Sequence, residues 1–252
     1  LKINILMSKI NFIIGGVQKA GTELISHHLR HHSEIMMPEK ELHYFDTEIS
    51  NNDLNFENYH KNFGNLKSKK LFGEKTPIYI FYKDCMKKIA EYNSNIKIIL
   101  IFRDPFERAL SAYNMEYIRG NEKKSFDQAI KEENQRIKLS DENLRNFSYL
   151  SRGYYFKQIQ NCYSLFKKNQ ILFLNFDDLI NNFNEIMNSI QSFLGCKKEN
   201  YPQRPERVTW LEKKKNITFK LDTKKIFVEK LIDDYQNFKK ITGFKFYNFE
   251  NL

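Results

Sequence analysis

Cysteine is scarce. The 252 residues hold only Cys85, Cys162 and Cys196, an odd number, widely spaced and without a C-x-x-C pair. That argues against a disulfide framework or a cysteine-built zinc site and favours a reducing compartment. Five prolines and nine glycines leave few positions for hinges or linkers, so the chain is read as one domain over residues 1–252, long enough to bury a single large core. No apolar run approaches the roughly 20 residues needed to span a bilayer. The first residues lack the apolar centre and cleavage site of a signal peptide. The chain begins with Leu1 and Met7 lies just ahead of the first apolar run, so residues 1–8 are expected to be non-native or disordered.

The residues that are plentiful point to a packed, basic protein. Hydrophobic residues make up 41% and aromatic ones 15%, which affords a core and argues against disorder. The formal net charge of +10 favours anionic partners such as nucleotides, nucleic acid, acidic glycans or a membrane surface. Charge alone does not choose among these, and a solvated lysine surface would give the same balance.

Short apolar runs alternate with helical patterns. Lys9–Gly16 (KINFIIGG) reads as a buried strand running into a glycine turn, and Thr22–Arg30 as the helix after that turn. Leu71–Glu74 is a second strand, with a helix from about Ile78 to Glu91 behind it. Lys97–Phe102 (KIILIF) is the clearest strand, leading into a helix from Phe106 to about Arg119, with Pro105 suited to the first turn. Ile171–Phe176 is the fourth strand candidate, and Asp177 and Asp178 are placed to cap the next helix. This alternation predicts an α/β fold, a P-loop-like parallel sheet with helices on both faces. Ligands of such sheets bind beyond the carboxyl ends of the strands, where each chemistry-bearing segment falls.

The first segment is Gly15-Gly16-Val17-Gln18-Lys19-Ala20-Gly21-Thr22. Small residues at the start of a helix let backbone N–H groups converge on an anion. Gly16 and Gly21 keep the glycine spacing of the nucleotide-hydrolase loop GxxxxGK[ST], but Thr22 stands at its lysine position. The loop is poorly built for a β,γ-phosphate pair with Mg²⁺, yet suits one phosphate-sized group. The second segment places Arg103 at a strand end and Ser111 two helical turns later, a fork and a hydroxyl that suit a second phosphate; pairing of Arg103 with Asp104 or Glu107 is the structural alternative. The third, Gly73-Glu74-Lys75-Thr76-Pro77, carries a lysine at a strand-end turn. The fourth, Pro38–Phe45, holds the acid–base candidates Glu41 and His43, which point the same way if the segment is extended.

In order, GVQKAGTEL, PEKELHYFD, GEKTPIY, ILIFRDPFERALSAY, RGYYFKQIQNCYSLF and ILFLNFDDLI resemble the sulfotransferases that use 3′-phosphoadenosine-5′-phosphosulfate (PAPS), especially the heparan sulfate 3-O branch and its bacterial relatives. The resemblance covers roughly residues 10–195. It implies that Lys19, Ala20, Gly21, Thr22, Glu23 and Leu24 bind the donor's 5′-phosphosulfate, and that Arg103 and Ser111 bind its 3′-phosphate. It further implies that Gly153 and Tyr154 help close the nucleotide site, with 3′-phosphoadenosine 5′-phosphate (PAP) as product and no metal. Glu41 matches the catalytic base, with His43 in reserve, and Lys19 and Lys75 match lysines near the transferring group. The implied acceptor is a saccharide, such as an anionic glycan, or a small hydroxylated molecule, with no nucleic acid partner and no membrane span. The implied location is cytoplasmic if the chain is complete, or the Golgi lumen if it is an excised catalytic domain.

The sequence departs from the pattern in places. Glu23 stands where relatives carry a small hydroxyl residue or an arginine, and Cys196 has no partner of the kind found in animal 3-O enzymes. Trp210–Phe219 (WLEKKKNITF) is expected either to close over the nucleotide or to be a solvated lysine run. A P-loop kinase or hydrolase and a basic nucleic-acid-binding module remain as alternatives at this level.

Overall fold

The structure is a computed structural model that describes residues 9–47, 56–64, 69–201 and 217–251. Residues 1–8, expected to be non-native or disordered, lie outside the described residues. The elements begin with β1 (Phe12–Gly16), α1 (Thr22–Arg30), β2 (Ile35–Met36), α2 (Phe56–His60), β3 (Leu71–Lys75) and α3 (Lys83–Tyr92). They continue with β4 (Lys97–Phe102), α4 (Pro105–Ile118), α5 (Phe126–Arg136), α6 (Asp141–Phe147) and α7 (Tyr155–Leu165). Last come β5 (Ile171–Asn175), α8 (Phe176–Asn181), α9 (Phe183–Leu194), α10 (Leu221–Thr242) and α11 (Tyr247–Glu250).

Two compact units divide these elements. Of the described residues, the first runs through β1 to Val17, then Gly21–Phe102 and Asn161–Tyr201; the second comprises Gln18–Ala20, Arg103–Gln160 and residues 217–251. The first unit is built on a five-stranded sheet of order β2-β3-β1-β4-β5, parallel throughout. Every residue of β1 and β3 is buried, so their side chains are covered on both faces, which is why these runs do not alternate between apolar and polar residues as a half-exposed strand does. Ile14 pairs with Lys75 and Gly16 with Leu100, with a register shift between Ile14 and Gly16. Parallel pairing brings the ends of β1, β3 and β4 to one edge of the sheet.

The second unit is helical. Phe106 of α4 meets Phe126 of α5, Phe219 and Phe227 of α10 edge-to-face, at centroid separations of 5.9, 5.1 and 5.3 Å. Asp104 caps α4 by accepting from the amides of Phe106 and Glu107 at 2.9 and 3.2 Å, and Pro105 occupies the first turn as its sequence position predicts.

The predicted fold class is observed; three local expectations are corrected. The helix expected from Ile78 begins only at Lys83, because the Ile80 amide donates to the Gly15 carbonyl at 3.0 Å and residues 77–82 form turns on β1. The fourth strand candidate ends at Asn175. Asn175 itself caps α8 by accepting from the Asp177 amide at 2.8 Å, leaving Asp177 and Asp178 in the first turn. The two-residue β2 is too short a run to be read from sequence.

Candidate functional site

The glycine turn is locally determined. Gly21 caps α1 in the left-handed region (φ 83°), and a Cβ there would lie 2.8 Å from Leu179 Cδ2, so only glycine fits. A Cβ on Gly16 would overlap Ile80 Cγ2. No side chain caps α1, so its first amides have no competing side-chain acceptor at the cap. That arrangement fits an anion, aided by the dipole of the helix. Within the turn Lys19 is itself left-handed, at φ 72°. A non-glycine residue in that region stores strain of the kind found at ligand sites.

In the second unit, Arg103 donates from Nη1 to the Lys19 carbonyl at 3.3 Å, and its Nη2 lies 3.6 Å from Glu107. The guanidinium thus keeps the pairing partner anticipated one helical turn away while also bracing the Lys19 turn. Lys19 Nζ approaches Met115 Sδ at 3.7 Å. Ser111 lies half-buried on α4, two turns beyond Arg103. Arg152, nearly buried, donates to the Gln18 side chain and to the Arg145 carbonyl, a brace that no sequence motif marks beyond its place beside Gly153. Gly153 packs where a Cβ would be 2.7 Å from Leu231 Cδ1 and 3.2 Å from Pro105 Cβ. Its smallness lets the Arg152 segment approach α4 and α10. The Tyr154 ring lies 4.7 Å from Lys157 Nζ.

In the first unit a chain of alternating charges runs past the end of β3. Arg30 Nη2 meets Glu23 Oε1 at 2.7 Å, and Glu23 Oε2 meets Lys75 Nζ at 2.5 Å. Lys75 also donates to Glu41 Oε1 at 3.0 Å, Glu41 Oε2 lies 3.4 Å from His43 Nε2, and His43 Nδ1 lies 2.8 Å from Asp46 Oδ2. Glu41 and His43 do converge, but not through an extended segment, because His43 is left-handed at φ 50°. The local charges set the protonation states. Burial pushes the Glu41 carboxyl up, and the His43 hydrogen bond with the Lys75 charge outweighs it, holding Glu41 below the usual carboxylate range. Burial likewise opposes ionisation of Glu23, and Lys75 and Arg30 overcome it. Hydrogen bonds to Asp46 and Glu41 raise His43 to about 9 against the effect of burial, so at neutral pH it is an imidazolium with both nitrogens donating.

A buried carboxyl supports this group. Tyr59 Oη donates to Glu74 Oε1 at 2.6 Å and Thr76 Oγ1 to Oε2 at 3.1 Å. Tyr79 Oη accepts from the amides of Tyr44 and Phe45 at 2.9 and 3.3 Å, pinning the backbone immediately after His43. Sequence motifs do not single out Asp46 and Arg30; the H-x-x-D spacing and the two-turn step from Glu23 to Arg30 are the signals that could. Lys19, Arg103 and Ser111 thus fall in the second unit, and Glu23, Glu41, His43 and Lys75 in the first. Trp210 and residues 211–216 lie outside the described residues; Phe219 belongs to the aromatic cluster around Phe106.

The parallel sheet and its strand-end turns place the molecule in the P-loop-like α/β class. Residues 9–248 match the Sulfotransferase domain family, and the chain belongs to that family. Family membership favours the transferase reading over the kinase and nucleic-acid-binding alternatives. The chain is 32% identical over 130 residues to the membrane-associated sulfotransferase kil1 of Dictyostelium discoideum, covering 49% of this chain and 28% of that protein. It is 28% identical over 193 residues to mouse heparan sulfate glucosamine 3-O-sulfotransferase 3B1, covering 74% of this chain and 46% of that protein. It therefore spans less than half the length of these relatives. In structure it is similar to a sulfotransferase from Alicyclobacillus acidocaldarius, with a TM-score of 0.79 at 19% identity over 97% of this chain and all of that one. Among the described residues no helix is long and apolar enough to cross a membrane.

Proposed function

We propose that the chain transfers a sulfuryl group from PAPS to an acceptor hydroxyl or amine, with Glu41 as the base. The observation that carries this reading is the Glu41–Lys75 pair, a carboxylate kept ionised 3.0 Å from an almost fully buried ammonium group. Family membership and the fit of the uncapped α1 terminus to an anion support the donor assignment. PAPS supplies an activated sulfuryl group joined to a phosphate that leaves.

The turn Lys19–Leu24 holds the phosphosulfate end of the donor, and Arg103 with Ser111 holds the 3′-phosphate. Gly153 and Tyr154 close on the nucleoside side. Glu41 accepts the acceptor's proton as its oxygen or nitrogen is oriented for in-line attack, a contribution on the order of 10²–10⁴-fold. His43 cannot be that base while protonated; its role is to orient the Glu41 carboxylate, with Asp46 fixing the ring. Lys75 and Lys19 stabilise negative charge on the sulfuryl oxygens and the leaving phosphate. Glu23 and Glu41 accept from two of the three N–H donors of Lys75, and the third suits a sulfuryl oxygen. The acceptor is a saccharide or a small hydroxylated molecule, the anionic-glycan reading resting on the net charge and on the heparan sulfate specificity in the names of the relatives.

Calorimetric titration with PAP and with ATP, without metal, tests the donor assignment. PAP is preferred in the wild type and the preference collapses in Arg103→Ala. Equal affinity for both nucleotides in the wild type would overturn the 3′-phosphate role.

A further inference from the structure

Helix α1, its C-cap His31 and the residue after it carry His27, His28, His31 and His32, two histidine pairs one turn apart. The inner pair is engaged. His28 Nδ1 bonds the Leu24 carbonyl at 2.8 Å and its ring meets Phe183 and Tyr201 at centroid separations of 4.6 and 5.3 Å. His32 Nε2 bonds the Lys197 carbonyl at 2.8 Å, and its Nδ1 accepts from the Glu34 amide at 3.0 Å.

The outer pair differs. His27 and His31 are exposed, four residues apart, and their ring centroids are 4.8 Å from each other. His31 Nδ1 lies 2.8 Å from the His27 carbonyl. A carbonyl only accepts, so Nδ1 carries the proton and the lone pair of the neutral ring is at Nε2. Metal-binding histidines are oriented by this same second-nitrogen hydrogen bond. Two imidazoles held about 2.0–2.1 Å from one ion, at an angle between square and tetrahedral, place their ring centres roughly 4.5–5.2 Å apart. The observed separation lies inside that span without any movement of the helix.

We propose that His27 and His31 form a bidentate surface site for a first-row divalent transition-metal cation, with water completing the coordination. Among the described residues no cluster of three or more His, Cys, Asp or Glu side chains is placed to hold a metal, so this is a two-ligand chelate and not a closed structural site. The nearby positive charge, Arg30, is paired with Glu23 at 2.7 Å, and Glu23 itself lies one turn before His27 on the same stripe of α1. The local field is therefore not hostile to a cation.

Titration of the full chain, purified without a histidine tag, with copper(II) and nickel(II) chlorides at neutral pH reads the site directly. One strong site per chain is expected, tighter for copper than for nickel. His27→Ala and His31→Ala each weaken it at least ~10-fold, and the double variant is no worse than either single one, because a chelate is lost as a unit. His27→Gln and His31→Gln repeat the measurement with the side chains' polarity kept. Unchanged affinity in the double variant would overturn the proposal, and so would single variants that each lose half the bound metal at unchanged affinity.

Discussion

Replacing Glu74 by glutamine tests the buried support of the candidate site. The side chain is fully buried, and burial raises its pKa from 4.5 to about 7 despite hydrogen bonds from Tyr59, Thr76 and Tyr79. Between those two values the folded chain keeps a proton that the unfolded chain has released. Its contribution to stability is thus fully present at the acid end and declines as pH rises through the window. The gap corresponds to about 3 kcal/mol. For a chain of this size that is roughly 6–12 °C in melting temperature. Glutamine is neutral throughout, and its amide can still accept from Tyr59 while Thr76 turns to accept from it. Thermal unfolding monitored by far-UV circular dichroism, at steps from about pH 5 to about pH 8, should show the variant gaining on the wild type by that amount as pH rises. Other titrating groups are common to both proteins and cancel. Melting curves that stay parallel across the range would refute the assignment of a protonated, buried Glu74.

The same geometry fixes further outcomes. Glu41→Gln should retain PAP affinity while turnover falls at least ~100-fold, measured by transfer to the acceptor. The wild-type pH–rate profile should keep its activity below about 9 and lose it as His43 gives up its proton near that value, a limb absent from His43→Gln. Its acid limb should lie below the ordinary carboxylate range, because Glu41 is held ionised there. Gly21→Ala should lower stability by about 1–3 kcal/mol, read as a fall in melting temperature, since alanine must adopt φ 83° against Leu179.

The sheet is legible in the sequence because its strands are buried on both faces. Lys97–Phe102 has no polar interruption after its first residue, and no amphipathic helix would carry such a run. The Thr22–Arg30 helix is readable from apolar spacing after a glycine turn. The features that escape have physical reasons. Residues 77–82 look helical in composition, but the Ile80 amide serves the Gly15 carbonyl, a tertiary contact that no local pattern encodes. β2 exists only because Ile35 and Met36 pair with Leu71 and Phe72. In the candidate site the charged residues are visible as a set, while their couplings are not. Glu23 looks like a departure near an anion loop, yet its partners Lys75 and Arg30 come from β3 and from two turns further along α1. His43 looks like a reserve base because sequence does not show that Asp46 and Glu41 flank it.

The strand order has a consequence for how the chain is made. Among the described strands β1 is synthesised before the others and is the innermost of the sheet, bordered by β3 on one side and β4 on the other. Phe12 must wait for Gly73 and Lys97 to be synthesised before both of its edges are satisfied. Until then the nascent chain presents a short, wholly apolar strand with two unpaired edges. Such distant parallel pairing is slow to form and exposed to aggregation in the interval, so chaperone demand during translation should centre on the Phe12–Gly16 segment.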